Sequence, residues 1–217
     1  DRNYRIDEQV VKIIGRAKSI LEQERGLVVK DRIFLNGYSS SGVFAQRFAL
    51  LHPDIVETAC IGGASGSIPI PTEKFAYPLG IADYESLTGK RFDLESYSKI
   101  KFRYYVGELE TQNKSNSRFD DFGQPAPMHD MSYFDRSVPT EVGKYQRSVL
   151  GTEMFSRAQK TIQILQSLGI DVQHKIILGR GHNNRNGIGV NELGDKFVND
   201  TYKSTIKSRE INYGVSR

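Results

Sequence analysis

The stretch Arg32–Pro53 reads RIFLNGYSSSGVFAQRFALLHP. Ile33, Phe34 and Leu35 favour extended backbone and lead through Asn36 into Gly37. Serines follow at 39, 40 and 41, and a helical pattern then runs until the chain stops before Pro53. A buried strand that turns directly into a helix is the repeating unit of α/β folds. Serine is poor packing material at such a break. Either it caps the helix, or one of the hydroxyls has chemistry to do.

The same alternation extends outward from this stretch. Residues 7–24 place Val10, Val11, Ile13, Ile14, Ala17, Ile20 and Leu21 at helical spacing behind acidic residues, and Gly26 is positioned to end that helix. DRIFLNG (31–37) reads as a strand, 42–51 as a helix and 55–64 as a second apolar strand. Residues 65–98, rich in Gly, Pro, Ser and Tyr, read as mostly irregular. IKFRYYVG (100–107) is a third strand, and 111–150 is a long polar insert studded with Phe, Tyr and Met. A helix over 152–168 turns its Met154, Phe155, Ala158, Ile162, Leu165 and Leu168 inward and closes at Gly169. A strand over 171–179, a Gly-rich loop, a helix over 190–206 and a polar tail over 207–217 complete the chain. Strands alternating with helices predict an α/β domain with a mostly parallel sheet flanked by helices, one domain over 1–217 carrying an irregular insert at 111–150.

Composition removes several function classes. With 38% hydrophobic and 26% charged residues the chain matches an ordinary globular domain, and its net charge of +4 is not gathered into a stripe or a nucleic-acid module. The run Lys99–Arg103 alternates charge with apolar residues, as on a half-exposed strand. No apolar run has membrane-spanning length. The single cysteine, Cys60, excludes an intrachain disulfide and reads as a core thiol. Asp120, Asp121, His129 and Asp130 cluster in the insert without zinc or calcium ligand spacing, so no metal or cofactor is implied. No compartment is assigned.

Three loops follow strands and carry reactive residue types: NGYSSSG, VGELET and GRGHNN. In a parallel sheet such loops gather at the carboxyl rim. A nucleophilic serine on a sharp strand-to-helix turn needs small residues two positions before and after it. Ser39 has Gly37 and Ser41, Ser40 has the bulky Tyr38 before it, and Ser41 has Val43 after it. Ser39 is therefore the candidate, in the pattern G-x-S-x-S-G, with the Ser40 backbone N–H facing a developing oxyanion. Of the four histidines only His182 lies just after a strand in a Gly-rich loop, where a general base belongs. The orienting acid is Glu110, with Glu108 and Asp120 or Asp121 as alternatives. The order Ser, acid, His is the α/β-hydrolase order.

With DRIFLNGYSSSGVFAQRFALLHPD, FRYYVGELET, LQSLGIDV and GRGHN in place, the chain resembles α/β-hydrolase-fold serine esterases, in the branch of polyhydroxybutyrate-depolymerase-like and feruloyl-esterase-like proteins. The resemblance covers Ile6 to the last helix. It implies hydrolysis of a small-molecule or polymeric ester through an acyl-enzyme, without a cofactor, with the insert forming a lid or substrate pocket. Two departures stand out: Glu110 occupies a position where the family more often has Asp, and the family's strands upstream of the first helix have no counterpart here. An N-terminally truncated sheet would expose an edge, so an upstream segment or a second copy is expected to cover it. A prolyl-peptidase-like serine peptidase and a non-catalytic α/β-hydrolase-like binding protein are the alternatives.

Overall fold

The computed structural model describes residues 4–64, 68–108, 118–119, 125–126, 140–152, 154–178 and 190–210. Helix α1 (Ile6–Arg25) ends at Gly26, whose φ of 63° gives the left-handed cap that a glycine adopts without strain. Strand β1 (Ile33–Tyr38) passes through Ser39 into α2 (Ser40–Leu51), and β2 (Val56–Gly62) follows. Two short helices, α3 (Tyr84–Thr88) and α4 (Leu94–Ser98), precede β3 (Lys101–Gly107). Two-residue strands β4 (Arg118–Phe119) and β5 (Pro125–Ala126) pair antiparallel. Helix α5 (Thr140–Tyr145) runs into a π-helical turn (Gln146–Leu150), and α6 (Met154–Ser167), β6 (Val172–Ile177) and α7 (Val190–Glu210) complete the order.

The four longer strands form one parallel sheet in the order β1-β2-β3-β6. Its register places Leu35 beside Ala59, Ile61 beside Tyr104, and Tyr104 beside His174. Because every strand runs the same way, all four carboxyl ends lie on one rim. The alternation of side chains separates two faces. Ala59, Ile61, Phe102, Tyr104 and Val172 face a core shared with α2 and with Ile162 and Leu165 of α6, against which Val10, Val11 and Ile14 of α1 pack. Cys60, Tyr105 and Ile177 face the other way, toward Phe197 and Val198 of α7. Thr58 and Thr205 meet by their hydroxyls, 3.3 Å apart, where α7 crosses β2. The middle strands β2 and β3 are almost wholly buried, whereas β1 and β6, the edges of the described sheet, are part exposed.

The α/β architecture and all four strands are those expected from the sequence. Cys60 is fully buried, and that burial pushes its thiol up to about 12, far from reactivity. Four expectations need correction. Ile13 (66% exposed) and Leu21 face solvent, because a helix turns about 100° per residue and only the arc around Val10, Val11 and Ile14 meets the sheet. Leu168 is exposed because the chain is already leaving α6, with Gly169 at φ 77°. The 65–98 stretch is mostly irregular as expected, with only the short α3 and α4, but the insert's last eleven residues, 140–150, are helical. Val142 there packs with Phe75 and Leu79, a tertiary contact that periodicity alone does not reveal. The last helix continues to Glu210, past the expected 206. Among the described residues no helix is long and apolar enough to cross a membrane.

Truncating Phe102, 1% exposed, to alanine is expected to lower stability by about 3–5 kcal/mol. Ile13→Ala should change it by less than about 0.5 kcal/mol. Urea denaturation followed by circular dichroism measures both, and equal losses would contradict the assigned face of α1.

Candidate active site at the carboxyl rim of the sheet

The turn from β1 into α2 is unusually tight. A methyl group on Gly37 would stand 2.4 Å from the Ser41 carbonyl oxygen, and one on Gly42 would stand 2.9 Å from Ala64 Cβ and 3.0 Å from the Gly62 carbonyl. The nearest neighbours of Gly37 are backbone atoms, which cannot swing aside, so that position requires glycine. Ser41 braces the turn from within: its Oγ accepts from Tyr38 N–H at 2.9 Å and donates to Tyr38 C=O at 2.7 Å. The Ser39 N–H donates to Gly62 C=O at 2.8 Å, tying the turn to β2, and Val43 N–H donates to Ser39 C=O at 2.9 Å.

Between these contacts Ser39 adopts φ 55°, ψ −122°. Among the described residues only Arg5 and Ser39 are non-glycine residues with positive φ. The chain holds Ser39 there at a cost of about 1–3 kcal/mol, as is typical of strained functional positions. Ser39 stands at the N-cap of α2, yet its side chain makes no capping hydrogen bond. Helix capping therefore does not explain this serine. Ser40 opens the helix, in the first turn, where backbone N–H groups have no intrahelical acceptor and can serve an anion.

Glu110 and His182 lie outside the described residues, as do Asp120, Asp121, His129 and Asp130. Glu108 lies within them, half-buried and immediately after Gly107 at the end of β3. The other histidines are elsewhere. His174 sits within β6 beside Tyr104, three residues short of the strand's carboxyl end, with burial pulling its imidazole below the usual range. His52 caps the far end of α2, where its Nε2 meets Asp7 Oδ2 at 2.9 Å.

Sequence reasoning missed a cavity of about 200 Å3 along one side of α2, lined by Ser40, Val43, Phe44, Arg47 and Leu51 at helical spacing and by Tyr77, Leu87 and the start of α1. Its one detectable signal is Arg47, a charged residue inside the apolar run VFAQRFALL. At the lower end Arg5 pairs with Asp7 at 2.7 Å and Glu8 at 2.8 Å, and also donates to Leu87 C=O. Asp7, Glu8 and His52 bring potential ligand atoms within 4.8 Å of one another, but both carboxylates are already paired with the Arg5 guanidinium. Burial pushes the Asp7 carboxyl up, while hydrogen bonds from Arg5 and His52 outweigh it and hold the group at about 2.

No protein-family model matches the chain, and no curated protein or solved structure matches it either.

Two outcomes follow from this geometry. Ser39→Gly should be more stable than Ser39→Ala by about 1 kcal/mol or more, since glycine tolerates the backbone angles and alanine does not; equal thermal midpoints would contradict the strain. Asp7 has a folded value below its ordinary 3.8, so its stabilisation is complete above about pH 4 and is lost as pH falls toward 2. Acid denaturation curves of Asp7→Asn should therefore be flatter than wild type across that window.

Proposed function

We propose that this chain is a serine hydrolase of the α/β-hydrolase fold that cleaves carboxylic esters through an acyl-enzyme. The observation that carries this reading is the Ser39 backbone, held at φ 55°, ψ −122° on a strand-to-helix turn that allows no side chain at residue 37. That turn is how a nucleophilic serine is raised above a parallel sheet.

In this mechanism Ser39 Oγ attacks the acyl carbonyl. His182 takes the hydroxyl proton and later hands it to the leaving alcohol, and Glu110 holds the imidazole and stabilises its charged form. The Ser40 N–H supplies one oxyanion donor, a group whose loss costs about 2.7–4 kcal/mol in hydrolases. Water then repeats the sequence on the acyl-enzyme, with His182 again as base.

Chain reach supports the assignment. Neighbouring strands lie about 4.8 Å apart, so the end of β1 is about 10 Å from that of β3, two strands away, and about 14 Å from that of β6, three strands away. Glu110 follows Gly107 by three residues (110 − 107) and His182 follows Ile177 by five (182 − 177). At about 3.5 Å per extended residue these tethers reach about 10 Å and about 17 Å. The longer tether is enough for His182 to meet Ser39, and the shorter one is enough for Glu110 to meet a His182 placed beside Ser39.

A fluorophosphonate probe tests the nucleophile directly. Wild type should be labelled, Ser39→Ala should not, and His182→Ala should be labelled at least about 100-fold more slowly. Equal labelling of wild type and Ser39→Ala would remove Ser39 from the mechanism. Short-chain p-nitrophenyl esters should be cleaved faster than aminoacyl p-nitroanilides, and the reverse order would make the enzyme a peptidase.

A further inference from the structure

Strand β1 is an edge of the described sheet and carries little that would keep it unpaired. Residues 33–38, IFLNGY, include no charge and no proline, and the one register shift against β2 falls at the start, between Ile33 and Phe34. Alternation decides which backbone groups point outward. Ile33 N–H donates to Ile55 C=O and Ser39 N–H to Gly62 C=O, so the odd-numbered residues turn toward β2, and Phe34, Asn36 and Tyr38 turn away from it. Ser41 Oγ takes up both backbone groups of Tyr38. Phe34 and Asn36 are left, each with an N–H and a C=O that have no partner among the described residues. Apolar side chains flank this row on both faces. Half-buried Leu35 lies on the side of α2. On the other side lies Phe34, with Tyr202 edge-on to it at 5.3 Å and Ile206 one turn further along α7. Tyr202 and Ile206 are both exposed.

We propose that β1 pairs antiparallel with β1 of a second copy of this chain, about a twofold axis that passes beside Leu35 normal to the sheet. The free groups select this occupant because they complement themselves. Phe34 and Asn36 are two residues apart (36 − 34), so turning one β1 over onto another about Leu35 sets Phe34 opposite Asn36 of the partner subunit and Asn36 opposite Phe34 of the partner subunit. Each such pair exchanges two N–H···O=C bonds, so every free group is satisfied. Moving the axis to Asn36 would set Phe34 against Tyr38 of the partner subunit, whose backbone groups Ser41 already holds. The charged run Lys30–Arg32 of each copy lies beyond the paired residues, at opposite ends of the interface, so no like charges stand opposite each other. On the α2 side Leu35 meets its own copy across the axis, and on the α7 side Tyr202 and Ile206 turn toward theirs. The sheet then runs through the axis with its four parallel strands from each copy, and β1, the strand that ends at Ser39, gains a neighbour on its open side. Because the paired strands run antiparallel, the two Ser39 turns sit at opposite ends of the dimer. This surface does not depend on the hydrolase reading.

Sedimentation equilibrium of the full chain tests the interface first. Wild type should sediment as two 24.5 kDa chains at about 100 µM. A monomer there would mean that something other than a second copy covers the edge, and overturns the proposal. Asn36→Pro removes an outward N–H and leaves the bonds to β2 in place, so the dimer Kd should rise at least about 10-fold with the circular dichroism spectrum unchanged. Cysteine crosslinking reads the register. Leu35 and its copy form the non-hydrogen-bonded pair at the axis, with about 4.5 Å between Cα atoms, inside the span of about 4.4–6.8 Å that a disulfide bridges. Asn36 and its copy are diagonal neighbours, about 7–8 Å apart, and fall outside that span. Copper phenanthroline should therefore crosslink Leu35→Cys into a dimer at least about 10-fold faster than Asn36→Cys. Wild type, whose only thiol is the fully buried Cys60, should stay uncrosslinked. A dimer that Asn36→Pro leaves untouched, or one that crosslinks Asn36→Cys as fast as Leu35→Cys, forms through another surface and overturns the proposal. Circular dichroism checks each variant's fold, and if Leu35→Cys or Asn36→Pro fails to fold, the other carries the comparison.

Discussion

The close approach of Gly37 to the backbone of Ser41 is the constraint on which the rest of this structure depends. With 2.4 Å between a would-be Cβ and the Ser41 carbonyl oxygen, the strand can bend into the helix at once only because residue 37 has no side chain. The bend forces positive φ on Ser39, and the bonds between Ser41 and Tyr38 and between Ser39 and Gly62 keep it there. Removing any of these contacts would let the turn relax toward ordinary helix entry, with Ser39 free to act as a cap. The strain is local, but it is sustained by the packing of α2 on β2, where a methyl group on Gly42 would stand 2.9 Å from Ala64 Cβ.

The sheet gives this turn its meaning. Parallel strands in the order β1-β2-β3-β6 deliver every following loop to one rim, so residues far apart in sequence can meet there without long connections. The central strands are held by burial on both faces, with α1, α2 and α6 on one side and α7 on the other. Arg103 and Asp171 add a bidentate pair at 2.8 and 2.9 Å where β3 and β6 begin, fastening the end of the sheet opposite the rim. At the far end of α2, Asp7 gathers Arg5 and His52 and ties the start of α1 to the helix that presents Ser39.

Much of this was readable from residue order. The strands around Leu35, Ile61 and Tyr104 are short apolar runs bounded by turn residues, and their alternation with helices leaves few topologies open. Ser39 was singled out by the size of its neighbours, because Gly37 and Ser41 are small where Tyr38 and Val43 are not, and the same steric argument reappears in the coordinates as a clash distance. What stayed hidden depends on contacts between distant segments. In the sequence Asp7 is only an acid at the start of a helix, yet it is buried against His52, 45 residues away. Ile13 looked like a core residue, since an apolar arc does not reveal which part of it meets the sheet. Arg47 is one charge within the apolar run VFAQRFALL, and only the packing of α1 and the 77–87 segment creates the cavity beside it.

Whether the rim is a catalytic centre comes down to one distance. A crystal structure of the protein should place Ser39 Oγ about 3 Å from a ring nitrogen of His182, with the other ring nitrogen turned to Glu110. A serine oxygen that no staggered rotamer of either side chain brings within hydrogen-bond reach of that ring would mean that the strained turn serves some purpose other than ester hydrolysis.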